Sequence, residues 1–542
     1  MSADVIVIGG GPAGLTVAAE AARAGARVIV VERRTEDTHS RAGVIQPRVL
    51  ELLDARGLMG RFRDAARRWR PDFEVPRYIY AGLTGLRYDQ LASKFPYALI
   101  LPQMTTEHLL AEWAVEEGAD LRRGLTYLVH EVTPDGVAVT VRDAAGAAHE
   151  LRARHLVGAD GARSLVREVA GIPFEGRPTR MTAVAVDADL SFPWEASMRM
   201  RRNEHGWVLA YPFGRGITRF IIVAEHRRHV HKTEPVTMEE VRESLRLIVG
   251  DDFGVRSATW LSRYGDAHRM VPEFRRGPVL LAGEATRVHY PASGIGMNYC
   301  IQDAFNLGWK LGWVATGRAP DALLDGYHEE RHPVLRALMD DVAAQCGLHF
   351  DFSPAGMALK DLVERELIPI PEVNAVLRDR LSGFGTSYHR DSDGHAADGT
   401  RVSDFPVTSP SGTSSTTSYT EVARSAGFVL AEATGSQEPG SQEPGSQELG
   451  SQELGSQDSG PEGLRAVPDA VTVVTAPAAA LADAFAGAAA VLIRPDAYVA
   501  RAWAARPTAV EVADAYRAAT RQENPEPPEA GVAAAPRQPE HA

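Results

Sequence analysis

Residues 4–32 read Asp4-Val-Ile-Val-Ile-Gly-Gly-Gly-Pro-Ala-Gly-Leu-Thr-Val-Ala-Ala-Glu-Ala-Ala-Arg-Ala-Gly-Ala-Arg-Val-Ile-Val-Val-Glu32. The continuous apolar run ending at Ile8 predicts a strand buried on both faces, as in a parallel sheet. An alanine-rich helix should follow to about Ala24, with Gly25 closing it and a second strand running from Arg27 to Val31. Gly9, Gly11 and Gly14 have the G-x-G-x-x-G spacing, with Pro12 and Ala13 completing the turn. The first glycine permits the tight turn, the second lets backbone approach a pyrophosphate, and the third lets helix and strand pack closely. Glu32 ends the second strand at about the distance expected of a ribose-binding acid. The plain alternative is a glycine turn with no ligand. The strand–turn–helix context favours a dinucleotide, and this motif alone does not separate FAD from NAD.

Two further stretches repeat the theme of an acid at a strand end. In residues 278–312 a short apolar strand, Val279 to Ala282, stops at Gly283. Glu284 follows, then a loop with Gly294 and Gly296, then a helix from about Met297. An acid accepts hydrogen bonds from sugar-type hydroxyls, and a helix start offers free N–H groups. By itself this could be a loop beside any active site. Asp160-Gly-Ala-Arg-Ser-Leu-Val-Arg167 also follows a strand. Its acid, hydroxyl and guanidinium form a compact polar cluster, and the plain reading is a capped strand-to-helix turn.

The rest of the chain sets limits. At 542 residues it should hold two or three domains. Its formal charge of −13 argues against nucleic acid and anionic membranes as partners. The absence of a long apolar run argues against a membrane span. Two cysteines, Cys300 and Cys346, rule out a disulfide framework and fit a reducing cytoplasm. No secretory signal is read at the start, and no metal centre is expected. Residues 47–69 and 105–118 read as helices, 125–155 as a β-meander, and Leu156 to Ala159 as a further strand. Residues 178–275 read as β-rich with little helix, and 298–345 as helical. Residues 435–459 are five tandem pentapeptides beginning Gly-Ser-Gln, which cannot build a core.

Taken in order and at these separations, Gly9–Gly14, Asp160–Arg167 and Gly283–Asn298 resemble the three FAD fingerprints of the group A flavoprotein aromatic hydroxylases, which have the para-hydroxybenzoate hydroxylase fold. The chain is most similar to the hydroxylases that tailor aromatic polyketides and to the rifampicin monooxygenases. The resemblance covers about residues 4–345. It implies an α/β fold: a Rossmann-like FAD-binding domain, a β-sheet substrate domain and a C-terminal thioredoxin-like domain without a Cys-x-x-Cys pair. The corresponding boundaries are 1–177 and 270–375 for the FAD-binding domain with its helical extension, and 178–269 for the substrate domain. The thioredoxin-like domain would span 376–521, interrupted by a disordered loop at 435–460, and 522–542 would be a disordered tail.

The resemblance also implies tightly bound FAD, reduced transiently by NADPH or NADH. Oxygen would then form a flavin hydroperoxide that hydroxylates an electron-rich aromatic ring. Baeyer–Villiger insertion, antibiotic inactivation and a non-redox flavin-binding role are the alternatives. The expected partners are an aromatic small molecule and O2, with the protein a monomer or homodimer. Glu32 should bind the adenosine ribose, with Arg33 beside it. Arg41 matches an arginine near the flavin and its pyrophosphate, Gln103 a glutamine beside the ribityl chain, and Tyr127 is a further cofactor contact. Asp160 and Glu284 fit the second and third motifs. The backbone of Gly296, Met297 and Asn298 should face the flavin pyrimidine, and Pro291 belongs to the loop over its reactive edge. Arg41, His289 and Pro291 are the candidate catalytic residues, with His289 read as either a packed loop histidine or a general base. Trp207, Tyr211, Phe213 and Phe220 could line a pocket for a flat ring or belong to the core. The chain departs from the family at Glu284 (usually Asp), Arg287 (usually His) and Ser293-Gly294-Ile295 (usually Gly-Gly-Gln). Loss of that glutamine is expected to remove a polar group near the flavin.

Overall fold

A strand whose every side chain meets apolar neighbours needs a partner on each edge, and Ser2–Ile8 has both. It pairs in parallel with Val28–Glu32 and with the second half of Ala148–Gly158. The computed structural model describes residues 2–36, 42–191, 198–214, 216–388, 394–408, 416–424, 427–434 and 468–522. The main sheet runs in the order Arg275–Arg276, Val279–Leu281, Ala148–Gly158, Ser2–Ile8, Val28–Glu32, Asp120–Arg123. Ala148–Gly158 is one long strand. Its first half continues the meander as an antiparallel partner of Gly136–Arg142, and its second half joins the parallel core. The last strand of the meander and the strand read separately at Leu156 to Ala159 are therefore one continuous element.

The helix Pro12–Arg23 is buried along almost its whole length, packing against the sheet and against Gly296–Ala315. Its alanine content is the reason: small side chains let a helix be covered on all sides. Glu20 is the exception within it, and its charge is met by Arg56, which donates to both carboxylate oxygens at 2.6 and 2.8 Å. Residues 47–69 form two helices, Pro47–Asp54 and Met59–Trp69, rather than one. Gly57 at φ 73° takes the chain out of the first helix.

A second, antiparallel sheet has the order Arg199–Asn203, Gly206–Gly214, Ile217–Ala224, Thr182–Leu190, Val255–Gly265. Side chains alternate between its faces. Val184, Val186, Val208 and Ala210 pack under the helix Met238–Val249, while Ala185, Trp207 and Leu209 face the main core. That helix was not anticipated in a segment read as strands. It begins at a Thr237 N-cap and ends at Gly250 in the left-handed region. Beyond residue 400 a third sheet has the order Thr416–Ser418, Pro406–Thr408, Val471–Pro477, Phe428–Thr434, Ala490–Ile493, Val499–Trp503. It docks through buried charge. Arg494 pairs with Glu330 and Asp496, and Arg48 donates to the Val402 and Ala497 carbonyls. The pentapeptide repeats and the tail from 523 lie outside the described residues.

Candidate functional site

The three acid-bearing segments meet around one cavity of about 1130 Å³. Gly9, Gly11, Pro12 and Ala13 line it, together with Glu32, Arg33, Gln103, Tyr127, Asp160, Glu284, His289, Pro291, Gly296 and Met297. Its volume exceeds the usual range of about 300–1,000 Å³ for one small ligand, leaving room for a cofactor and a second molecule.

The glycine turn divides its tasks as its spacing suggests. Gly9 takes φ 109°, which only glycine adopts freely, and a Cβ on Gly14 would overlap the Gly9 carbonyl. Gly14 thus serves packing and is not part of the cavity wall. Gly11 has no atom within 4 Å of where a Cβ would stand, so its face is open to the cavity. Glu32 is 5% exposed. Its Oε2 accepts from Gly10 N–H at 2.6 Å, and its Oε1 accepts from Arg34 N–H and Nε at 2.8 and 3.0 Å. Burial pushes this carboxyl's pKa up, but the hydrogen bonds from Arg34 and Gly10 outweigh it and hold the group below its ordinary value. Arg34 also pairs with Glu107, which accepts from Gln103 Nε2 at 2.7 Å. Tyr127 completes this wall, its hydroxyl bonded to His130 Nδ1 at 2.6 Å.

Asp160 is half committed. Its Oδ2 accepts from the N–H groups of Leu165 and Val166, capping a short helix, while Oδ1 is buried and has no partner among the described residues. The rest of its expected cluster turns away. Ser164 Oγ caps Arg167 N–H, and Arg167 donates to the Ala285 and Ala162 carbonyls with its guanidinium over Phe174. The polar triad read from the sequence therefore reduces, at the cavity, to Asp160.

In the third wall, Glu284 is exposed at the cavity edge. Asn298 does not reach the cavity. It is a strut whose Oδ1 accepts from Gln46 N–H at 2.7 Å and whose Nδ2 donates to the Val44 and Gly294 carbonyls. His289 Nδ1 donates to the Tyr290 carbonyl at 2.7 Å. Burial, helped by the charge of Arg287, lowers its pKa to about 4, so the ring is neutral at neutral pH. Arg41 lies outside the described residues. The departures from the family pattern separate in space. Glu284 and Ser293 line the cavity, whereas Arg287 and Ile295 are buried away from it. Arg287 donates to Asp303 at 2.7 Å, and Asp303 accepts from Arg331 at 2.8 Å on its other oxygen. Ile295 sits in the hydrophobic core, so this position does not alter the cavity's polarity in the manner expected from the sequence.

The other end of the cavity is apolar and aromatic. Trp207, Leu209 and Tyr211 project from one face of their strand, joined by Ile221, Tyr78 and Tyr264. Phe213 and Phe220 are core. Phe213 carries the Arg219 guanidinium at 3.6 Å, and Phe220 stacks on Phe253. Sequence reasoning missed a clasp at the junction of the two ends. Ser293 and Ala81 both take left-handed backbone, φ 48° and 50°. Ser293 Oγ donates to Gln345 Oε1 at 2.8 Å, the same oxygen that accepts from Ala81 N–H. Gln345 Nε2 donates to Asp341, which fixes the amide's orientation. Such strain persists where surroundings over-determine it. The only sequence signal was a serine in a glycine-rich loop. His328 and His332, four residues apart, pack against Phe274, and among the described residues no group of three ligands could hold a metal.

The fit to a dinucleotide such as FAD rests on the orphaned Asp160 oxygen, the open face of Gly11 and the unpaired N–H groups expected in the first turn from Pro12. Residues 2–342 match the FAD binding domain family model. Rifampicin monooxygenase of Streptomyces venezuelae is 38% identical over 74% of this chain and 83% of its own. The 12-dehydrotetracycline 5-monooxygenase/anhydrotetracycline 6-monooxygenase of Streptomyces rimosus is 37% identical over 78% of this chain and 84% of its own. Among solved structures, anhydrotetracycline hydroxylase from Streptomyces rimosus superposes with a TM-score of 0.80 at 33% identity, covering 96% of this chain and 99% of that one.

Proposed function

The chain belongs to the FAD binding domain family and is a flavoprotein monooxygenase, and from that premise we propose that it uses NADPH or NADH and O2 to hydroxylate an aromatic polyketide or related phenolic natural product. The observation that carries this reading is one cavity with two ends, a polar end built from the three fingerprints and an aromatic end built from the antiparallel sheet. When bound, FAD would supply the redox chemistry, with the nicotinamide as the electron source and O2 giving one oxygen atom to the ring and the other to water.

The protein's own residues hold, orient and keep dry. Glu32 and Asp160 offer carboxylate oxygens to ribose and ribityl hydroxyls. Gly11 to Ala13 offer open backbone to a pyrophosphate, and Gly296 and Met297 face the ring end, with Arg33, Gln103, Tyr127 and Glu284 as further contacts. Trp207, Leu209, Tyr211 and Tyr78 surround a flat substrate and exclude water from the reacting edge. Pro291 and the clasped Ser293 shape the loop between the two ends. His289, neutral and holding its Nδ1 proton on Tyr290, serves as a hydrogen-bond acceptor at that junction rather than as a cation. The six-stranded C-terminal sheet is read as the thioredoxin-like unit, carrying no redox pair. Inactivation of an antibiotic such as rifampicin is a second reading of the same site, favoured by the 38% identity to the rifampicin monooxygenase of Streptomyces venezuelae.

The test is direct. The purified protein should be yellow and should oxidise NADPH or NADH faster in the presence of members of a panel of anhydrotetracycline, hydroxylated naphthacenes and rifampicin. Mass spectrometry should find a product heavier by one oxygen. Bound FAD with no substrate-stimulated reductant oxidation across that panel would overturn the proposal.

A further inference from the structure

Several polar groups at the aromatic end of the cavity are committed to protein partners. The Tyr78 hydroxyl donates to the Ser293 carbonyl at 3.0 Å, and Trp207 Nε1 donates to the Gly82 carbonyl at 3.0 Å. Gln345 is used at both ends of its amide, by Ser293 and Ala81 on the oxygen and by Asp341 on the nitrogen. One helical turn further along Asp325–His349, His349 differs. Its Nδ1 lies 2.9 Å from the Ala81 carbonyl. A carbonyl only accepts, so Nδ1 carries the proton and Nε2 is left with a lone pair. No partner for Nε2 occurs among the described residues, although the side chain is 5% exposed and lines the cavity.

The ring is held rigidly. Trp207 meets it edge to face with centroids 4.7 Å apart, and Tyr290 and Phe350 lie at 6.0 and 5.6 Å. The turn at Ala81–Gly82 receives a ring N–H on each of its carbonyls, from His349 and from Trp207. Burial lowers the pKa of His349 to about 4, so it presents an uncharged acceptor. An acceptor left without a protein partner at the wall of the cavity is free to receive a donor from a ligand.

We infer that His349 is a specificity-determining residue, its Nε2 accepting a hydrogen bond from a ring hydroxyl of the aromatic substrate. This rests on the monooxygenase reading of the cavity and adds a recognised group to it: substrates with a free phenolic O–H at this end are favoured over the same skeleton without it. The principle is general, since a site built to pair with a hydroxyl discriminates against the analogue that lacks it.

The test titrates the FAD-loaded protein with 2-hydroxyanthraquinone and with 9,10-anthraquinone, following the change in flavin absorbance and tryptophan emission. Wild type should bind the hydroxylated probe about fivefold or more tightly, as one net hydrogen bond gives. His349→Asn retains a donor toward Ala81 while its one acceptor, Oδ1, no longer occupies the Nε2 position, and His349→Phe keeps a ring and loses both donor and acceptor. In both variants the ratio should fall to about one, with anthraquinone binding changed less than about twofold. A preference that survives in both variants, or no preference in wild type, overturns the inference. So does an equal weakening of both probes, which marks a structural role. If the FAD-loaded wild type binds neither probe, the aromatic reading of the chamber falls as well.

Discussion

Glu32 reaches back across the glycine turn to Gly10, accepting its N–H on Oε2 at 2.6 Å. An acid placed by its distance from the turn as a candidate ribose acceptor is also a pin for the turn itself. The same carboxylate fixes Arg34, which continues to Glu107 and Gln103 along the cavity wall. The geometry of the turn and that of the wall therefore depend on one side chain, the one proposed to meet the cofactor.

Replacing Glu32 should consequently do more than remove one contact. Hydrogen bonds to a charged group are worth about 1.5–3 kcal/mol, so Glu32→Ala should weaken FAD binding by about tenfold or more. Glu32→Gln, which keeps the shape and an acceptor, should fall between. Titration of the apoprotein with FAD measures both, and wild-type affinity in Glu32→Ala would refute the assignment.

Gly11 and Gly14 should respond oppositely to alanine. At Gly14 a methyl group meets the Gly9 carbonyl, so strand and helix must separate and soluble folded protein should be lost. At Gly11 the backbone is extended, φ −84° and ψ 179°, and the new methyl meets no protein atom. Gly11→Ala should melt within about 0.5 kcal/mol of wild type yet retain less FAD. Thermal melting and the flavin-to-protein ratio separate the two, and normal FAD content in Gly11→Ala would remove Gly11 from the cofactor wall.

Among the described residues Asp303 is the single carboxylate between Arg287 and Arg331, all three at most 1% exposed. Asp303→Asn strands two buried guanidinium groups. The expected loss is about 3–5 kcal/mol, the range for breaking a buried ion pair on one side. A denaturant midpoint close to that of wild type would show that water reaches this cluster.

His289 and His349 make stability depend on pH. In the unfolded chain each ring takes up a proton near pH 6.5, whereas in the folded protein it does so only near 4. Between these values the unfolded state binds more protons, so stability rises with pH and is lost as pH falls. From pH 7.5 to 5 the loss should be about 2 kcal/mol per histidine. Melting temperatures at the two pH values should show a smaller drop in His349→Asn than in wild type. An identical drop would mean that His349 is not held neutral by burial.

Legibility followed distance along the chain. The strand, the turn at Gly9–Gly14 and the helix after it are set by local sterics, and they stand close to where the sequence placed them. Arg167 shows the limit: its spacing from Asp160 suggested a shared cluster, but its guanidinium is captured by the Ala285 carbonyl, over a hundred residues away. The helix Met238–Val249 was hidden because its surroundings alternate like strands, although its Thr237 cap was there to be read. Phe213 and Trp207 are both aromatic residues of one strand, and only the sheet's packing sends one to the core and the other to the cavity.

The sequence by itself determined the dinucleotide turn and the acids at the strand ends, because each depends on backbone conformation or spacing within a few residues, and the order of three such motifs along the chain pointed to the flavoprotein family. Tertiary structure alone decided which of those acids keeps a free oxygen, that Arg287 and Ile295 are buried away from the cavity, and that His349 is left with an unpaired nitrogen beside an aromatic chamber. Those outcomes depend on partners hundreds of residues apart, such as Gln345 with Ala81 and Asn298 with Gln46, whose meeting is fixed by the packing of whole elements.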